Sequence, residues 1–293
     1  MHCSRCKKKP VILKPLLCKD HFIRYFEKKV HDTVKNFSLL SNKQKVVVAT
    51  SGGKDSLTCL YLLKKFGYEP TALIIDEGIR EYRKKTLEDL KTFCRKFKIN
   101  LIKKEFEKEF GKTLDQILNS NSKNPCTVCG ILRRYLLNKY SKGFDVIATG
   151  HNLDDEAQAV VMNLLRNNSD LLFRLGPVSG NKNVDKFTKR IKPLYFCSEK
   201  EIKIYSILNK ITSRFTECPY VEEAYRMKVR DFLNDYEQKK PGTKKNIIES
   251  FLSMKKNYVS ETKENTYCER CGEPSASDIC NTCKLIKEIK LKV

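Results

Sequence analysis

The chain of 293 residues carries 58 lysines and arginines against 35 acidic residues, a net charge of +23, and 40% of its residues are hydrophobic. No apolar run reaches the length that a transmembrane helix demands, so no membrane partner is expected, and the composition suits one α/β domain with small appendages. The opening Met1-His2-Cys3-Ser4-Arg5-Cys6 lacks an apolar signal core, which points to a cytoplasmic location. So positive a field favours a polyanion, and nucleic acid is the expected partner; lysine-rich codon usage is the plainer source of the same charge. Thirteen cysteines in a cytoplasmic chain point to metal sites or reactive thiols, because disulfides are uncommon there.

In chain order, residues 1–30 form a compact segment with Cys3-x2-Cys6 and Cys18-x2-His21. Three thiolates and one imidazole suit a closed tetrahedral zinc site. His2 and His31 compete as ligands, but His21 alone completes the second pair. Residues 31–255 read as one α/β domain. A β-branched strand is predicted at 45–50, then a glycine turn and a helix over 57–66. A second strand is predicted at 71–76, a helix over 87–97, a third strand at 100–103, a fourth at 145–149 and a helix over 154–165. Short continuous apolar strands alternating with helices predict a mostly parallel sheet, buried on both faces, with ligands at the C-terminal strand ends. Residues 256–293 form a second cysteine-rich segment, where Cys268-x2-Cys271 and Cys280-x2-Cys283 offer four thiolates to a second structural zinc.

The strongest local motif, Ser51-Gly52-Gly53-Lys54-Asp55-Ser56, lies between the first strand and its helix. Paired glycines allow positive φ and close backbone approach, and the loop N–H groups with the helix N-terminus then bind an anion. Lys54 adds a charge and Ser56 a hydroxyl. The spacing is not that of the common P-loop, and the plain reading is a serine-capped glycine turn. Ile75-Asp76-Glu77-Gly78-Ile79 and Thr149-Gly150-His151-Asn152-Leu153-Asp154-Asp155 follow the second and fourth strands, so both reach the same edge. Asp155 is a candidate to hold Mg2+ or to orient a substrate. The plain readings make Asp154 a helix cap and His151 a loop hydrogen-bonder.

Cys126-x2-Cys129 and the distant Cys218 stand apart from both terminal sets. Three thiolates can hold three irons of a [4Fe–4S] cluster and leave the fourth iron open. A persulfide carried on one thiolate, or a Cys126/Cys129 redox pair, is the alternative. Cys59, Cys94 and Cys197 stand in helical or apolar contexts and read as small buried hydrophobes.

The phosphate loop resembles the PP-loop of ATP pyrophosphatases, and Gly150 to Asp155 resembles the Gly-His-Asn-x-Asp-Asp segment of their tRNA-thiolating members. With Cys129-Gly130-Ile131-Leu132-Arg133-Arg134, Lys192-Pro193-Leu194, Glu217-Cys218-Pro219-Tyr220 and Arg226, nearly the whole chain is similar to the TtuA/NcsA family of PP-loop tRNA 2-thiouridine synthetases. The resemblance implies a PP-loop ATP pyrophosphatase sheet flanked by helices, with a zinc finger at each end. It implies an ATP-dependent tRNA uridine 2-sulfurtransferase that adenylates the uridine C2 oxygen and replaces it with sulfur. By the same resemblance ATP meets Ala49, Ser51, Gly52, Gly53, Lys54, Asp55, Ser56, Ile75, Gly150, Asp155 and Arg133, while Cys126, Cys129 and Cys218 ligate the [4Fe–4S] cluster. Arg133 stands where relatives also use lysine.

Glu217-Cys218-Pro219-Tyr220 and Pro241-Gly242-Thr243-Lys244 look more like the branch that thiolates U54 of the T-loop than the branch that thiolates wobble U34. The implied partners are tRNA, a thiocarboxylated ubiquitin-like sulfur carrier protein or free sulfide, and a second copy of the chain. Two other readings compete. Another PP-loop ligase, of the lysidine type, has no use for the three central cysteines. A non-catalytic zinc RNA-binding protein has no use for the phosphate loop.

Overall fold

A computed structural model of the chain describes residues 1–120, 122–179, 188–211, 218–220, 225–258, 266–275 and 277–291. A hairpin of β1 (Ile12–Leu13) and β2 (Leu16–Leu17) precedes helix α1 (Lys19–Asn36). Strand β3 (Val46–Thr50) leads into α2 (Lys54–Lys65), β4 (Thr71–Asp76) into α3 (Tyr82–Phe97), and β5 (Leu101–Glu105) into the short α4 (Phe106–Phe110) and α5 (Leu114–Asn119). Helix α6 (Pro125–Tyr140) follows, then β6 (Val146–Thr149), α7 (Leu153–Leu165) and α8 (Ser169–Phe173). Strands β7 (Val178–Ser179) and β8 (Lys189–Ile191) precede α9 (Glu199–Leu208), α10 (Tyr225–Lys239) and α11 (Thr243–Lys256). A hairpin of β9 (Thr266–Tyr267) and β10 (Pro274–Ser275) and helix α12 (Asn281–Glu288) end the described chain.

Six strands form one sheet in the order β5-β4-β3-β6-β8-β7, parallel throughout except for the β7–β8 edge pair. The twofold alternation of a strand divides its residues between two cores. Val46, Val48, Ala72, Ile74, Val146 and Ala148 join Phe22, Phe26, Leu57 and Leu60 on one face. Val47, Leu73, Ile75 and Ile147 join Val128, Leu132 and Leu136 of α6 on the other. Burial on both faces is why these strands read as unbroken apolar runs rather than as alternating ones.

Three of the four predicted strands fall where expected. The third extends two residues further, to Glu105, and α3 starts at Tyr82, five residues before the predicted helix. The lysines of Leu101–Glu105 hid the extent of that strand, which lies at the sheet edge and is only half-buried. Helix α1 begins inside the first cysteine set and runs past residue 30, and its Phe22, Phe26 and Val30 are fully buried in the first core. At the other end, Leu285, Ile286 and Ile289 enter the second core beside α6. Both cysteine sets are thereby docked on the sheet domain.

Candidate active site

The C-terminal ends of β3, β4 and β6 meet at one edge, and the three segments singled out in the sequence emerge there. Gly53 caps α2, and Ser51 ties the loop to that helix: its N–H donates to Ser56 Oγ at 3.2 Å, and its own Oγ accepts from Gly53 N at 3.2 Å. Gly52 has φ +82°, and a Cβ there would collide with the Thr86 carbonyl, so only glycine fits. Gly150 presses on the same helix end; a Cβ at this position would lie 2.7 Å from Ser56 N. Ala49, the penultimate residue of β3, pairs between Leu73 and Thr149, and Ile75 is buried in the second core.

Lys54 Nζ pairs with Asp55 Oδ2 at 3.1 Å and with Glu199 Oε1 of α9 at 2.8 Å. Burial works against its charge, but these two carboxylates hold the ammonium above its ordinary value. Burial raises the Asp55 carboxyl, Lys54 opposes this, and Asp155 adds to it. Asn152 Nδ2 donates to Asp55 Oδ1 at 3.3 Å. The helix cap of α7 is Asn152, in a capping box with Asp155, rather than Asp154. Asp154 instead accepts from Lys244 Nζ and, at 2.8 Å, from the Glu199 N–H. Arg226 of α10 reaches Asp155 Oδ1 at 2.8 Å, and Lys192 reaches Glu156 at 2.7 Å. The acidic first turn of α7 is thus held by three cations from three separate segments. His151 is exposed, with Nδ1 2.9 Å from Thr149 Oγ1.

The three central cysteines converge beside this edge. Cys126 and Cys129 lie inside the first turns of α6, which Asn124 caps and Pro125 opens. Cys126 Sγ lies 3.7 Å from the Tyr220 carbonyl, and electrostatic contact links Cys218 to both Cys126 and Cys129. Burial pushes the Cys129 thiol up to about 12, with Glu77 adding to it and Arg133 opposing. Burial raises Cys218 as well. Glu217 of the Glu-Cys-Pro-Tyr segment lies outside the described residues.

The terminal sets are more tightly drawn. In each, four ligand atoms lie within 4.8 Å of one another, and among the described residues no other set of three or more His, Cys, Asp or Glu ligands does so. Cys6 and Cys18 sulfurs are 3.6 Å apart, His21 Nδ1 is 3.4 Å from Cys3 and 3.3 Å from Cys18, and Cys271 and Cys280 sulfurs are 3.7 Å apart. Zinc–sulfur bonds of about 2.3 Å place tetrahedral ligands at such separations. His2 bonds Lys7 and His31 packs edge-on against Phe66, so neither competes. Cys59, Cys94 and Cys197 are buried in the first core, as expected.

Residues 23–235 match the family model of the PP-loop domain. Over its full length the chain is similar to the tRNA-5-methyluridine(54) 2-sulfurtransferase of Pyrococcus horikoshii, with 38% identity across 100% of this chain and 97% of that protein. The chain belongs to the TtuA/NcsA family of PP-loop tRNA 2-thiouridine synthetases. Another family relative, the cytoplasmic tRNA 2-thiolation protein 1 of Drosophila sechellia, is 35% identical over 97% of this chain and 86% of its own length. Among solved structures, the U34-tRNA thiolase NcsA from Methanococcus maripaludis, with its [4Fe–4S] cluster, superposes with a TM-score of 0.84 at 31% identity, covering 98% of this chain and 96% of NcsA.

Residues with no local signal complete the site. Glu199 lies 145 residues from its partner Lys54. Asn152 bridges two motifs, and Arg83 joins Glu77 to the Ser51 carbonyl. The sequence marked Asn152 and Glu77 only as members of longer segments, and Arg226 singly, by resemblance and without a role. Glu199 and Arg83 it did not mark at all.

Proposed function

We propose that this chain is an ATP-dependent tRNA uridine 2-sulfurtransferase acting at U54. The observation that carries the reading is the meeting, at one sheet edge, of an anion-binding loop and three converging cysteines. The loop from Ser51 to Ser56, with Gly150 and Arg133 beside it, binds ATP. Asp55 and Asp155, whose carboxylates lie close enough to act on one another, would hold Mg2+, which would offset phosphate charge. The uridine C2 oxygen attacks the α-phosphorus and pyrophosphate leaves. Sulfide then attacks C2, loses its proton, and the oxygen departs with AMP. Lys54 and Arg133 stabilise the charge that develops on the phosphates.

Cys126, Cys129 and Cys218 would hold a [4Fe–4S] cluster, since three thiols brought together from α6 and the Tyr220 loop match that donor chemistry. Bound there, the cluster supplies an open iron position for sulfide. The two terminal sets hold structural zinc, and they flank the catalytic domain of residues 31–255 as N-terminal (1–30) and C-terminal (256–293) fingers. The net charge of +23 attracts tRNA. Sulfur arrives as free sulfide or on a thiocarboxylated ubiquitin-like protein. Exposed Leu164, Leu165, Phe232, Tyr236 and Met254, on the mutually packed α7, α10 and α11, favour a homodimer. Among the described residues no helix is long and apolar enough to cross a membrane, and a cytoplasmic location is proposed.

Relatives named for U54 support the choice of uridine. The superposition on a U34-tRNA thiolase favours the second reading, wobble thiolation. Mass spectrometry of nucleosides from digested tRNA, mapped by position after reaction with ATP and sulfide, decides. 2-Thiouridine at position 54 is the expected result. At position 34 it selects the second reading, and AMP release without any thiolated base rejects sulfur transfer.

A further inference from the structure

Glu77 follows strand β4 directly and is 1% exposed. A carboxylate withdrawn from water is costly unless both oxygens are met. Its Oε2 accepts from Arg83 Nη2. Its Oε1 is buried and has no hydrogen-bond partner among the described residues. That oxygen's ion-pair contact is Arg133 Nη1 at 3.8 Å, beyond hydrogen-bond length.

The surroundings fix this arrangement. Arg83 is itself buried, and its Nη1 donates to the Ser51 carbonyl at 3.0 Å, so Glu77 is tied to the phosphate loop. Arg133 stands one helical turn beyond Cys129 on α6, with its side chain about half exposed. An unbroken line of charge therefore runs from the phosphate loop through Arg83 and Glu77 to the cysteine helix. Anchoring Arg83 needs one carboxylate oxygen. The second oxygen is buried, makes no hydrogen bond to Arg83, whose Nε is likewise buried without a partner among the described residues, and has Arg133 as an ion-pair contact.

We propose that Glu77 is a positioning residue, whose free oxygen holds the Arg133 guanidinium between the phosphate loop and the central cysteines. A guanidinium offers several donors in a rigid fork, so one edge can meet Glu77 while the other meets a phosphate oxygen. The 3.8 Å separation leaves the charge of Arg133 only partly neutralised and available to an incoming anion. Lysine can also split its three donors, but from one compact point, without the fixed, spread fork of the guanidinium. The inference rests on the proposed sulfurtransferase reading for its kinetic test.

The test is a double-mutant cycle in the full chain, with Glu77→Gln, Arg133→Ala and the pair, read by 2-thiouridine formation with saturating ATP and tRNA. Glu77→Gln should lower kcat by about tenfold in the native background, the size of one coupled contact, and by no further factor in the Arg133→Ala background. Equal losses in both backgrounds, or an unchanged kcat, overturn the proposal. A second readout needs no activity: phenylglyoxal labelling of Arg133, followed by peptide mass mapping, should be faster in Glu77→Gln than in the native chain, and equal rates refute the contact. If the native chain makes no 2-thiouridine, the functional reading fails while the labelling still decides for Glu77. If Glu77→Gln does not fold, Glu77→Asp replaces it. It keeps the negative charge beside Arg83 and draws the second oxygen back from Arg133, and the same comparisons apply.

Discussion

The Tyr220 hydroxyl donates to Asp115 Oδ1 at 2.8 Å, bridging 105 residues and tying the Cys218 loop to the first turn of α5. The other oxygen of Asp115 accepts from the Arg80 N–H at 3.0 Å, so the same carboxylate also braces the chain leaving β4. Proline at 219 restricts the backbone between the cysteine and this anchor. The third thiol is therefore placed by a side chain two residues away.

Tyr220→Phe removes that anchor without changing ring volume. The expected cost is about 1 kcal/mol, or a factor of about five in the population of the docked loop. Thiouridine formation should fall by about that factor, while ATP affinity, set on the other side of Arg83, stays unchanged. Isothermal titration with ATP alongside nucleoside mass spectrometry checks the split. Equal losses in both would show that the loop supports the whole edge.

The terminal sets give a separable prediction. Cys268→Ser should reduce the zinc content from about two ions per chain to about one, measured by elemental analysis, because each set closes its own tetrahedron. The loss should also lower the melting temperature. Helix α12, which carries Cys283, buries Leu285 and Ile286 against α6, and Glu273, between Cys271 and Cys280, pairs with Lys142. An unchanged melting temperature would mean that α12 docks without its metal.

What the sequence made legible and what it did not divide along a physical line. Strand β3, the glycine loop and α2 are one local unit, and their β-branched run and paired glycines announce it. The cysteine pairs are equally local, since the spacing of two ligands on a turn is a property of adjacent residues. The Lys54–Glu199, Asp155–Arg226 and Arg83–Glu77 pairs are products of tertiary packing. No period or composition marks such partners before the sheet brings them together. The short β7 and β8 were missed for another reason: two or three residues, among them Lys189 and Arg190, carry no strand pattern.

Lys54→Ala should abolish ATP-dependent turnover, by at least about a hundredfold, through loss of a charge preorganised at the phosphates. Asp55 and Glu199 keep that ammonium charged well above neutral pH, so the native rate should show no titration of Lys54 between about pH 6 and 9. Binding of tRNA, spread over many lysines, should be retained with its steep salt dependence. AMP release and filter binding, measured on the same preparation, separate the two effects.

Gly150→Ala tests a close backbone approach in the site, one made without positive φ. The added Cβ would stand 2.7 Å from Ser56 N, 2.8 Å from the Asp55 carbonyl carbon and 2.9 Å from Ser56 Cα. These are main-chain atoms at the start of α2, and they cannot rotate aside as a side chain would. Either the loop after β6 or the helix start must shift by several tenths of an ångström. The expected destabilisation is about 1–3 kcal/mol, as for an overpacked core. The displaced group is the helix end that the phosphate loop serves, and Asp155 lies on the segment that would move away from it. ATP turnover should therefore fall far more than stability does, by about a hundredfold, since ångström-scale misplacement of a catalytic group has that effect. Melting curves and AMP release compared for Gly150→Ala and for Gly143→Ala provide the control. Gly143, unlike Gly150, has positive φ, at +91°, and its added Cβ meets nothing within 4 Å. That second variant should lose stability from backbone strain while keeping turnover. Similar turnover in both would place the Gly150 loop outside the nucleotide site.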